Sequence, residues 1–362
     1  MVKFSIFDLL HWPYFEEKCE GPKQTQVYND HLDEWVLAEE LGFDEVWLSE
    51  HHFTDYNLMP SPNLMIASLA QRTKAIRLGI MINAVPFHDP VRLAEECAML
   101  DILSNGRLDC GFGRSADFKE YDRFVMPPGE GRPRFQEGLE LIKKLWTEDD
   151  VTFQGKFFRV ENANLHPRPI QQPHPPIYTP VRSPETHAWA AQEGYPISSI
   201  FLPVDKTAES FQLYRSESEK WGRRVTGEDF LLVRHIHVAE TAEQAYEEAA
   251  LPMVHFFRLF REVALPNSLQ ALEALPDNFK THRQFYRQFF GDLPSADDLI
   301  KGGQLIVGDP TTVRQEIQKQ VETIGTKHLM CCMSFGNLAH DKVVHSMKLF
   351  SEHVMPYFKS QD

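Results

Sequence analysis

The stretch IRLGIMINAVPFHDPVRLAEECAMLDILSNGRLDCGFG, Ile76–Gly113, decides the fold. Ile76–Ile82 is short, apolar and β-branched, which predicts a buried strand. Pro90–Ser104 places Ala94, Cys97, Ala98 and Leu100 on one helical face, with Pro90 suited to a first turn. Asn105-Gly106 closes that helix, and Arg107–Gly113 is strand-like again. Two strands joined by a helix of this length form a parallel βα unit.

The alternation extends both ways. Upstream lie a strand at Phe4–Leu10, a helix from about Tyr28 to Leu41 ended by Gly42, a strand at Asp44–Ser49 and a helix at Pro62–Arg72. Downstream, strands are predicted at Ile177–Val181, Pro196–Phe201, Phe230–Val238 and His328–Met333. Helices between and after them cover Arg134–Trp146, Ser183–Gln192, Ala208–Trp221, Thr241–Phe260, Pro310–Ile324 and Asp341–Phe358. VTFQGKFFRV (Val151–Val160) reads as an antiparallel excursion, and HPRPIQQPHPPI (His166–Ile177) as a stiff extended connector.

The count approaches eight parallel strands, so the predicted class is α/β, a (β/α)8 TIM barrel with insertions. An open doubly wound sheet is disfavoured because the first βα connection has no GxGxxG. The chain reads as a single domain over 1–362, with a polar, irregular insertion at about 261–303 that suggests a lid.

A net charge of -15, from 37 basic and 52 acidic residues, argues against nucleic-acid or anionic-membrane surfaces. No apolar run reaches the roughly 18 residues a membrane span needs, and no signal-peptide layout is visible, so a cytoplasmic protein is expected. Cys19, Cys97, Cys110, Cys331 and Cys332 are scattered without CxxC spacing, which suggests neither a disulfide scaffold nor a zinc knuckle.

Residues just past strand C-termini line the mouth of a βα barrel. That rule collects His11, Trp12 and Tyr14 after the first strand and Glu50, His51, His52 and Phe53 after the second. It adds Asn83 and His88 after the third, Arg114 and Ser115 after the fourth, and Arg182, Ser183 and Thr186 after the fifth. The histidine doublet beside Glu50 supplies groups that titrate near neutrality. Arg114, Arg132, Arg134, Arg182, Ser183 and Thr186 have the chemistry of a phosphate site, in which guanidiniums, hydroxyls and helix N-terminal amides surround a dianion. The same residues also read as ordinary capping and solvated surface. No HExxH or GxSxG is present, so no metal is expected and serine hydrolysis is disfavoured. A flavin is the natural use of a phosphate clamp and an aromatic rim without a metal.

LGFDEVWLSEHHFTDY, the block from Ala75 to Ser115, PPIYTPVRSPETHAWAAQEGYP and the C-terminal KHLMCCMSF...SMKLFSEHVMPYFK resemble the bacterial luciferase-like flavin-dependent monooxygenases, the last notably the luciferase alpha chain. The resemblance covers most of the first 200 residues and the last 60. It implies an eight-stranded barrel binding FMN, as FMNH2 from a separate NAD(P)H-dependent flavin reductase. It implies O2 activation through a C4a-peroxyflavin and oxygenation of a small apolar or aromatic substrate. His51 would then assist proton transfer beside the flavin, supported by His52 and Glu50. Arg114 and one of Arg132 or Arg134 would grip the phosphate, with Arg182, Ser183 and Thr186. Met81, Ile82 and Asn83 would lie at the ring, with a cis peptide at Met81–Ile82. Trp12, Tyr14, Phe53, Tyr56 and Phe87 would form the substrate wall, with His11 and His88 as polar contacts. Relatives dimerise, so a homodimer is implied.

Three positions depart from the luciferase alpha pattern: Gly113 stands in place of a reactive cysteine, opening room at the ring, Arg182 in place of a glutamate and Asp117 in place of a tyrosine. They argue against light emission. The rival readings are an F420-dependent hydride-transfer oxidoreductase on the same barrel, and a non-catalytic luciferase-beta-like flavin-binding partner.

Overall fold

The computed structural model describes residues 1–14, 17–115, 117–265, 269–275, 280–287 and 291–359. Its strands are β1 (Lys3–Asp8), β2 (Glu45–Leu48), β3 (Arg77–Ala84), β4 (Leu108–Gly113), β5 (Val151–Gln154), β6 (Arg159–Ala163), β7 (Ile177–Pro180), β8 (Ile197–Ser199), β9 (Phe230–Val238), β10 (Leu305–Gly308) and β11 (His328–Cys332). The helices are α1 (Pro22–Glu40), α2 (Pro62–Arg72), α3 (Pro90–Leu103), α4 (Phe118–Arg123), α5 (Gly131–Thr147), α6 (Pro184–Glu193), α7 (Val204–Glu219), α8 (Ala242–Ala264), α9 (Leu269–Glu273), α10 (Lys280–Arg287), α11 (Ala296–Lys301), α12 (Pro310–Ile324), α13 (His340–Leu349) and α14 (Met355–Lys359).

Eight strands close a parallel barrel in the order β1-β2-β3-β4-β7-β8-β9-β11, with β11 pairing back to β1. Every residue of β2 and all nine of β9 are buried, as expected of strands covered on both faces. β5 and β6 form the expected antiparallel ribbon outside the barrel. β10 is a ninth strand in the sheet, which the sequence reading lacked. His235 pairs with Cys332 on one edge of β9 and with Leu305 on the other, so β10 continues the edge that three-residue β8 leaves open. The long strand β9 needs both short partners to satisfy its backbone groups.

Local chemistry sets the helix ends. Asp89 accepts hydrogen bonds from the Val91 and Arg92 amides at the start of α3, and Asp309 does the same for Thr311 and Thr312 at α12. Gly42 follows α1 at φ 78°, the left-handed conformation that favours glycine. α1 begins at Pro22, one and a half turns before the expected start, because Pro22 suits a first turn. α4 was not expected; it is six residues long and capped by Asp117.

The lid expected at 261–303 holds α9, α10 and α11, and positions 266–268, 276–279 and 288–290 lie outside the described residues. Among the described residues, no helix is long and apolar enough to cross a membrane.

Candidate active site

The C-terminal ends of the strands surround a cavity of about 1320 Å³, counting its open mouth. Glu50 and His51 reach it from β2, Met81 and Ile82 from β3, Arg114 from β4 and Arg182 from β7. Phe260 of α8 and Tyr286 of α10 close the opposite side.

One wall is cationic. Arg132 donates through Nη2 to Ser183 Oγ at 2.9 Å and Thr186 Oγ1 at 3.3 Å. Ser183 caps α6, its Oγ accepting from the Thr186 amide. Burial, opposed by the Tyr121 hydroxyl and reinforced by the Arg132 charge, brings Arg114 down to about 10, which still leaves it cationic at neutral pH. Two neighbouring guanidiniums beside two hydroxyls and a helix N-terminus fit the phosphate of a flavin mononucleotide. Arg134 is placed elsewhere: its Nε donates to Glu130 at 2.9 Å and its guanidinium lies over Phe157. Of the two, Arg132 lines the cavity and reaches the α6 hydroxyls, while Arg134 does not.

The facing wall carries the histidines. His51 Nδ1 lies 3.0 Å from Glu120 Oε1, an oxygen that also accepts the His52 amide at 2.8 Å. Ser115 Oγ donates to the other Glu120 oxygen at 2.5 Å. Burial disfavours the His51 imidazolium, but the Glu120 carboxylate outweighs it and raises the His51 pKa. Glu50 accepts the Ala84 amide at 3.0 Å, and its other oxygen meets His52 Nε2 and His88 Nε2 at 2.9 Å each. Burial alone would raise Glu50; the bonds to His52 and His88 prevail and hold it at about 2. Glu50 is thus a fixed anion that anchors two loops.

Other expected residues lie outside the cavity lining. Asn83 faces Cys97 of α3. His88 is taken by Glu50, and His52 and Phe87 pack with Phe124 and Phe53. Trp12 donates to the Glu17 carbonyl and packs on Tyr14, while His11 is buried against His31 and Phe256. Of the expected substrate wall, Tyr56 alone lines the cavity. The strand-end rule overreached here because loops after β1 and β3 fold back onto neighbouring helices. The Met81–Ile82 peptide is cis. The room expected at Gly113 is filled: a Cβ there would lie 2.4 Å from Ile82 Cδ1.

Sequence reasoning missed Glu120, Phe201, Phe260 and Tyr286. Asp117-x-x-Glu120 has helix-start spacing, a signal for α4 that would have brought Glu120 near His51. The aromatic three come from α8, α10 and the loop after β8, where no local pattern marks the cavity. His51, Asp117 and Glu120, and separately Asp8, His31 and Glu34, lie close enough to converge on a cation, but in each group the histidine already bonds a carboxylate.

A parallel barrel with a cavity at its strand C-termini has the layout of barrel enzymes, and this lining has the donors a phosphorylated cofactor needs. Residues 9–328 match the family described as luciferase-like monooxygenase. The chain is 34% identical over 263 residues to the oxygenase component of a flavin-dependent trigonelline monooxygenase of Acinetobacter baylyi, covering 72% of this chain and 71% of that one. It is 28% identical over 374 residues to an alkanal monooxygenase alpha chain of Photorhabdus luminescens, covering 99% and 98%. A monooxygenase structure from Streptomyces bottropensis superposes with a TM-score of 0.83 at 28% identity, covering 98% and 99%. The chain belongs to the luciferase-like monooxygenase family. It is a flavin-dependent monooxygenase.

Proposed function

We propose that this chain is the oxygenase component of a two-component system, receiving reduced FMN from a separate NAD(P)H-dependent flavin reductase and oxygenating a small apolar or aromatic compound with O2. The observation that carries this reading is one cavity with Arg114, Arg132 and Thr186 on one wall and His51 on the other. Bound reduced FMN supplies two electrons and two protons, so that one oxygen atom enters the substrate and the other leaves as water.

The protein's own contribution is positioning and electrostatics. Arg114 and Arg132 hold the phosphate with the hydroxyls of Ser183 and Thr186, which fixes the ring system relative to His51. Glu120 holds His51 through Nδ1, leaving Nε2 to hold or move a proton at the cavity face. Glu50, bonded to His52 and His88, fixes the loops that carry His51. Tyr56, Phe201 and Phe260 exclude water from the reacting region.

Adjacent helices α2 and α3 expose Leu64, Met99, Ile102 and Leu103. An apolar face of this kind suits a second copy of the chain, giving a homodimer. Dependence on a nicotinamide-linked reductase fits a cytoplasmic setting.

The test combines the chain with a flavin reductase, NADH, FMN, ¹⁸O2 and a panel of apolar and aromatic compounds. A product carrying one labelled oxygen is expected. Product oxidised or reduced without label would contradict a monooxygenase role.

A further inference from the structure

Two histidines just behind the cavity lining carry polar atoms that the rest of the fold does not meet. His235 and His11 are each 2% exposed, and His235 Nε2 and His11 Nδ1 have no hydrogen-bond partner among the described residues. Buried nitrogens of this kind normally find one, because leaving them unmet costs free energy. Burial drives both rings down to about 3, so both are neutral imidazoles at physiological pH. His11 also bonds the Gly336 backbone, and that bond favours the protonated ring, so it is one that His11 donates. Its Nδ1 is then the nitrogen with the lone pair, an acceptor.

The strand geometry turns the pair toward the cavity. Residues two apart in a strand share a face, so His235 points to the same side of β9 as Val233, which lines the cavity. Phe201 lines the cavity too, and its ring lies parallel to the His235 imidazole, 6.1 Å away at 11°. Phe256 packs against both histidines, 4.6 Å from His235 and 6.5 Å from His11 between ring centroids. Phe201 thus stands between the cavity and His235. It does so at φ 65°, a left-handed conformation that bulky residues rarely adopt and that concentrates at ligand clamps.

Resting on the flavin reading above, we propose that His235 and His11 form a polar subsite behind Phe201 that takes the hydroxyl of a phenolic substrate, whose apolar body lies along Tyr56, Phe201 and Phe260. A hydroxyl donates to His11 Nδ1 and accepts from a His235 Nε2–H, whereas a carboxylate has no proton to give and would be buried against neutral rings. The pair sits on β9 and after β1, across the closed barrel from the arginines that follow β4 and β7. Cofactor phosphate and substrate hydroxyl are then held at opposite sides of one mouth.

The experiment titrates the chain, with and without FMN, with p-cresol and with toluene, which lacks the hydroxyl, by calorimetry, and measures FMN affinity separately. Wild type should bind p-cresol about tenfold or more tightly than toluene, and F201A should widen that preference by uncovering His235. H235F keeps a flat ring among the phenylalanines and should erase the preference. H235Q retains a donor and an acceptor and should restore part of it, and H11F should reduce it, all three with FMN affinity within about twofold of wild type. Equal or weaker binding of p-cresol by wild type would overturn the proposal. So would an H235F variant that loses FMN affinity along with the preference, since His235 would then serve the packing of the barrel. Failure of wild type to bind FMN would sink the flavin reading, and the FMN-free titration would still decide for or against the subsite.

Discussion

At the scale of single residues, His51 owes its setting to a carboxylate sixty-nine positions away, Glu120. Removing the imidazole in His51→Ala should lower kcat by about a hundredfold, the ordinary size of a lost acid–base group, with FMN affinity nearly unchanged. Steady-state kinetics beside an FMN titration check this; unchanged turnover would exclude the role. Glu120→Gln removes the charge that raises the His51 pKa, so the corresponding limb of the pH–rate profile should move to lower pH. Glu50 makes a stability prediction. Its carboxyl sits at about 2 in the fold against an ordinary 4.5, so its contribution is full above 4.5 and is lost as pH falls through about 2. By linkage it is worth about 3 kcal/mol in full, of which about 2 kcal/mol is lost between pH 7 and pH 3, and urea unfolding of Glu50→Gln should lack that loss. Asp117 runs the other way. Burial and the Glu120 carboxylate push it up to about 7 from 3.8, so its cost grows as pH rises from about 4 to about 7 and is full above that. Asp117→Asn keeps the α4 cap and should stabilise the fold by about 1 kcal/mol or more at pH 8, with the gain vanishing near pH 4. Calorimetric melting at the two pH values checks the sign. Of these groups, His51 was legible because it follows an apolar strand directly, whereas Glu120 was not, since only folding brings α4 under the loop after β2.

At the scale of elements, β2, β3, β4 and β9 were readable because each is an apolar run bounded by turn residues. β10 was hidden: four residues between α11 and the Asp309 cap become a strand only because β9 outlasts β8. The rim was harder still. His88 and Phe87 follow β3 as the barrel rule requires, yet Glu50 and Phe124 draw them away from the cavity. Strand packing gives a prediction of its own. Gly79 of β3 lies against the Trp47 ring of β2, and a Cβ there would come within 2.1 Å of it. Trp47 is fully buried and cannot swing out. Gly79→Ala should therefore destabilise by about 1–3 kcal/mol, as overpacked cores do, measured by denaturant unfolding. Wild-type stability in that variant would show that β2 and β3 adjust freely.

At the scale of the whole molecule, the barrel closes from short local units, and its mouth gathers charge from α5, α6 and three strand ends that no window of sequence contains. In the proposed homodimer the exposed Leu64 and Met99 on α2 and α3 mediate self-association, so wild type should sediment as a dimer and Met99→Glu with Leu64→Glu as a monomer of unchanged fold. Arg114, Arg132, Ser183 and Thr186 are proposed to form the phosphate clamp of the flavin cavity. Fluorescence titration of the chain with FMN and with riboflavin, which lacks the phosphate, separates the phosphate contribution. FMN should bind about tenfold or more tightly than riboflavin, and Arg114→Gln with Arg132→Gln should abolish the difference. Equal affinity for the two flavins in wild type would contradict the account.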